Sequence, residues 1–153
     1  VLVPFFLIIP NIDPLKANIA KFRGIFNWFI VLFTAYMLFV YALTLSSALG
    51  YKFNMTLMLL PVVGLLFIGA GYMMGKAKRN FFIGIRTPWT LSSETVWDKT
   101  HQLGSKLFML GGLVTILSAF LGEKGIWLML AAMLAAALVP VIYSFILWRQ
   151  ENP

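Results

Sequence analysis

Cysteine is absent from the 153 residues, and histidine occurs once. The first absence excludes disulfides, thiol nucleophiles and cysteine-based zinc or iron–sulfur sites, and the second excludes a histidine-rich metal cage. Charge is also scarce: charged residues make up 11% of the chain and only five are acidic, against 61% hydrophobic. A soluble domain averages about 25% charged and 45–50% apolar, so this chain lacks the polar surface a water-exposed fold needs. The solvent for its apolar excess is a lipid bilayer. With few reactive groups left, an enzyme is not expected and no cofactor is implied.

Long uncharged runs set the architecture. A hydrocarbon core about 30 Å thick needs roughly 20 apolar helical residues, and four runs qualify: residues 25–49, 56–75, 103–121 (with Lys106 one turn in) and 126–148. Residues 1–10 are apolar but half that length, and read as the tail of a truncated span. They lack a basic n-region and a small-residue cleavage site, so they do not read as a signal peptide. The expected fold is therefore all-α: a polytopic helical membrane protein forming one transmembrane domain over 1–153. Asp13-Pro14 reads as an N-cap and N1 pair opening a short helix through Lys21. Gly122 and Gly125 predict a tight turn that makes the last two spans a hairpin.

The twelve basic residues give a net charge of +7, and their placement gives it meaning. Lys16, Lys21, Arg23, Lys76, Lys78, Arg79, Arg86, Lys99 and Arg149 fall in alternate loops and the C-terminal tail, with Lys106 close by; only Lys52 and Lys124 fall on the other side. By the positive-inside rule, the basic loops and the C-terminus are expected in the cytoplasm of a bacterial plasma-membrane protein. Insertion topology and anionic headgroups account for the charge, so membrane lipids are the implied partner and nucleic acid is not.

No ionisable residue falls in the centre of a span, whereas pumps and transporters usually carry one. The hydroxyls of Thr34, Thr44, Ser46, Ser47, Thr115, Ser118 and Ser144 read as helix-packing groups. Gly71 with Gly75, Ser118 with Gly122, and Ala131 with Ala135 have the small-xxx-small spacing of close helix contacts. Met55, Met58, Met73 and Met74 read as lipid-facing filler.

The longest polar segment, residues 76–102, is the informative one. Gly84 permits a bend and Pro88 pushes Thr87 out of helical geometry, so 84–91 is expected to be an extended strap. Ser92 or Ser93 can cap a following helix with Glu94 in its first turn. On a helical wheel Glu94, Asp98 and Ser105 share a face, Val96, Leu103 and Leu107 oppose it, and Trp97 and His101 lie on a flank. That pattern predicts an amphipathic helix along the interface, anchored by Trp89 and Trp97 and continuing into the span at Leu103. Glu94 and Asp98, four apart, repel unless a cation neutralises them. Arg86 folding back, protonated His101 and a bound metal are the candidates. Arg86 is favoured for its carboxylate-matching fork, and metal is disfavoured because Glu94, Asp98 and His101 have no fourth ligand nearby in sequence.

Residues 84–104, GIRTPWTLSSETVWDKTHQLG, resemble the signature of the SdpI family of bacterial integral membrane proteins. PNIDPLKAN, residues 10–18, is similar to the segment after that family's second span. Gln102 stands where the family pattern has a basic residue. The resemblance implies about six spans in such proteins, with residues 1–10 as the end of the second. It also implies immunity to a secreted, membrane-active hydrophobic peptide toxin and, in the founding system, sequestration of a cytoplasmic repressor. Carried onto this chain, the contact residues it suggests are Arg86, Thr87, Pro88, Trp89, Glu94, Trp97, Asp98 and His101. A small transporter or lipid-handling protein, with the loop helix as a lid, is the alternative reading.

Overall fold

The four apolar runs form four long helices, because a backbone in lipid must satisfy its hydrogen bonds within each segment. The computed structural model describes residues 2–151; Val1, at the head of the apolar stretch 1–10, lies outside them. In chain order the helices are α1 (Leu2–Ile12), α2 (Lys16–Ala20), α3 (Arg23–Ala48), α4 (Met55–Lys76), α5 (Pro88–Ser92), α6 (Glu94–Ser118, prolonged by a 3-10 turn to Leu121) and α7 (Lys124–Glu151). Helices α3, α4, α6 with its 3-10 turn, and α7 are each long and apolar enough to cross a membrane. The all-helical, polytopic expectation holds.

Local chemistry sets the boundaries. The Asn54 side chain accepts from the Leu57 amide and caps α4, and Gly122, at φ +60°, turns the chain from α6 into α7. Asp13 accepts from Leu15 N–H at 2.6 Å, but helix geometry starts only at Lys16 and breaks again before Arg23. The single short helix expected from Asp13 through Lys21 into the span is thus smaller, because Asp13 also serves the distant loop described below. The strap expected over 84–91 is shortened too. Pro88 at N1 and Thr87 as N-cap are helix-starting signals, and they nucleate α5.

Helix α6 lies between α4 and α7, and small residues bring the backbones together. A Cβ on Gly64 would lie 2.5 Å from the Gly112 carbonyl, and one on Gly112 would lie 2.5 Å from the Gly64 carbonyl. Lower on the same seam, Gly71 and Gly75 face Ser105. In α7 the packing register differs from the expected pair: Ala131 and Ala135 are exposed, while Ala132 and Ala136 face Gly111. One residue of rotation separates the two readings, and only the neighbouring helix decides between them. The methionines divide as well. Met55 and Met58 are exposed, but Met73 and Met74 are buried rather than lipid-facing.

Helix α3 packs on α4 where Trp28 and Leu32 cover Gly69, and α1 packs on α3 through edge-on contacts of Phe6 with Phe26 and Phe33. Ile9, Ile19, Phe22, Phe26, Ile30, Met73, Ala77 and Ile83 form one buried cluster. It joins α1, α2, α3, the end of α4 and the loop, so the best-sealed core is at the loop end.

Candidate functional site

Residues 77–93 fold back onto the first turns of α6 and are held by buried polar groups. Asn80 is fully buried. Its Nδ2 donates to the Lys78 and Ile83 carbonyls, while its Oδ1 accepts from the Phe82 and Ile83 amides at 2.9 and 2.6 Å. All four hydrogen-bonding capacities of its amide are used, so it works as a staple for the turn. Asp13 is buried as well, and its second carboxylate oxygen accepts from the Phe81 amide at 2.8 Å. Asn18 donates to the Arg79 carbonyl at 2.9 Å. The segment before α3 thereby clamps a loop more than sixty residues away.

The next clamp is His101. Ile85 N–H donates to Nε2 at 3.0 Å, so that nitrogen carries a lone pair, and Nδ1 donates to the Trp97 carbonyl at 2.8 Å. The imidazole is therefore neutral and fully engaged. It stacks on Trp97, with centroids 3.9 Å apart, and Trp97 donates its indole N–H to the Ala77 carbonyl at 3.0 Å. Gly84, at φ +106°, presses against this ring: a Cβ would lie 2.3 Å from Nε2.

Thr87 and Thr90 exchange side-chain and backbone hydrogen bonds in a capping box that starts α5. The buried Thr90 hydroxyl also reaches the Ile85 carbonyl at 2.8 Å. Trp89 then docks on α7, donating its indole N–H to Ser144 Oγ and meeting Phe145 edge-on at 5.2 Å. Ser93 caps α6 and donates to Glu151 at 2.7 Å.

Three readings need correction. Arg86 does not pair with Glu94 or Asp98; it is exposed and donates to the Phe81 carbonyl at 2.7 Å. The cations opposite the two carboxylates are Arg79, 3.5 Å from Glu94, and Lys78, 3.5 Å from Asp98. These residues leave α4 directly toward α6, whereas the bend at Gly84 carries Arg86 away. Protonated His101 is not the neutralising group, since both ring nitrogens are committed to the fold. Trp97 is not an interfacial anchor, because it is fully buried. Among the described residues no group of three or more His, Asp and Glu could hold a metal ion. The polar segment 94–102 and the apolar stretch from Leu103 form one unbroken helix, α6, as the continuation into the span requires.

Residues 76–144 match the SdpI/YfhL protein family. A curated relative, "Immunity protein SdpI" of Bacillus subtilis (strain 168), is 35% identical over 120 residues, covering 76% of this chain and 58% of the relative. The chain is similar to the SdpI/YfhL family over this region. It spans a little over half the length of that relative. No solved structure matches. The SdpI/YfhL region runs from the end of α4 through the folded loop and α6 into α7, which is the part of the molecule that the Asn80, His101 and Trp89 contacts hold together.

Proposed function

We propose that this chain is a non-enzymatic membrane protein that gives immunity to a membrane-active peptide toxin, with the folded loop as the surface that meets a regulator. The observation that supports the immunity reading is the 35% identity to a relative named as an immunity protein. The geometry supports a binding role over a catalytic one: His101, Trp97, Thr87 and Thr90 are spent on internal hydrogen bonds, which leaves little free for chemistry. Contact then falls to the exposed members of the candidate set, Arg86, Pro88, Glu94 and Asp98, with the partly exposed Trp89. Thr87, Trp97 and His101 position the others. The basic end carrying this surface is read as cytoplasmic, and the whole chain as one transmembrane unit.

Toxin-sensitive bacteria expressing the chain, challenged with a secreted hydrophobic peptide toxin, test the reading. Survival above the empty-vector control is expected; equal killing at matched membrane expression overturns the immunity claim. The regulator surface is tested by charge reversal at Glu94, which is mostly exposed. Retained survival with lost relay of the toxin signal is the expected outcome, and an unchanged relay removes the loop from that role.

A further inference from the structure

At the loop end a cleft of about 130 Å³ opens between α2, the loop and α6. Asn18, Lys21, Lys78 and Arg79 face Glu94 and Asp98 across it, and Trp97 also lines it. One water occupies roughly 30 Å³ of liquid, so a headgroup-sized molecule fits.

The cleft's bonding is incomplete. Arg79 uses Nη1 on the Leu91 carbonyl at 3.1 Å and Nη2 toward Glu94, but its Nε is buried with no hydrogen-bond partner. A buried N–H without an acceptor is costly, so Arg79 is left short of one partner. The two ion pairs that span the cleft are both 3.5 Å long, and the Glu94 and Asp98 side chains are 75% and 49% exposed. Such pairs are weak and easily exchanged for a ligand's charges. A plain anion would satisfy Arg79 but sit against two carboxylates. A plain cation would satisfy the carboxylates but sit against Lys21, Lys78 and Arg79.

We propose that this cleft binds a phosphoethanolamine group. Its phosphate oxygens meet Arg79, Lys78 and Lys21, and its primary ammonium meets Asp98 and Glu94. Each loose internal ion pair is thereby replaced by two charge-assisted contacts to one ligand. The same chemistry is carried by a lipid headgroup at the membrane surface and by the soluble phosphoester, and the position at the polar end of the helices admits both.

The full chain, purified in a neutral detergent, is titrated calorimetrically with dihexanoyl phosphatidylethanolamine, its phosphatidylglycerol and phosphatidylcholine counterparts, soluble O-phosphoethanolamine and inorganic phosphate. The ethanolamine lipid is expected to bind about tenfold more tightly than the glycerol or choline lipid, the size of one charge-assisted contact. Lys21→Ala should weaken the ethanolamine and glycerol lipids alike, about tenfold. Asp98→Asn should abolish the preference for ethanolamine. Both side chains are exposed, so an unchanged melting temperature shows that the variants remain folded. Competition by soluble O-phosphoethanolamine assigns the site to the group itself; binding of the lipid alone assigns it to the membrane. Equal binding of the three lipids, inorganic phosphate matching O-phosphoethanolamine, or indifference to both substitutions overturns the proposal.

Discussion

His101 and Gly84 form one structural unit, and their contact allows a sharp prediction. At Gly84 an added methyl meets both a backbone angle that L-residues rarely adopt and the His101 ring at 2.3 Å. Gly84→Ala should destabilise the loop by about 2 kcal/mol, from strain and overpacking together. A denaturation midpoint equal to wild type would show that the strap is not pressed on the histidine. In the sequence His101 stands out on a flank of the helix beside Trp97, but its burial against the strap is not legible there. Asn80 escaped notice altogether, because a lone asparagine in a basic loop carries no periodic signal, and its four hydrogen bonds exist only once the turn has closed.

At the scale of helices, the span positions were legible because a bilayer imposes length and apolarity directly on sequence. The pairing of faces was less so, since every side of a lipid-embedded helix is apolar and periodicity loses its contrast. Ala131 and Ala135 have the spacing of a packing motif and still face outward, whereas Gly64 and Gly112, without such a partner four residues away, meet backbone to backbone. Helices in lipid associate through close packing rather than the hydrophobic effect, so the cost of a side chain at that crossing is borne in full. Gly112→Leu should separate α4 from α6 and lower the melting temperature in detergent by several degrees, while Ala131→Leu leaves it nearly unchanged. Equal effects of the two would mean that the α4–α6 crossing is not the bundle's organising contact.

Over the whole molecule, the ends of the helices carry the information that single spans do not. Contacts between Asn18 and Arg79, Trp97 and Ala77, Trp89 and Ser144, and Ser93 and Glu151 gather α2, the end of α4, the start of α6 and the end of α7 at one pole. The turn at Gly122, where Gly125 packs against Ser118, lies at the other. Ten of the twelve basic residues attach to the loop pole, and only Lys52 and Lys124 to the opposite one. Translocating the loop pole would carry nine loop and tail cations, held by a folded segment, across the hydrocarbon; keeping it inside leaves them near anionic headgroups, at about 1 kcal/mol each. Because the chain has no cysteine, single replacements report on sidedness without background. Lys99→Cys and Lys124→Cys both fall at exposed positions at opposite poles. A membrane-impermeant thiol reagent added to intact cells should label position 124, and should label position 99 only after permeabilisation. Labelling of position 99 from outside would invert the topology and move the loop surface, with any regulator it meets, out of the cytoplasm.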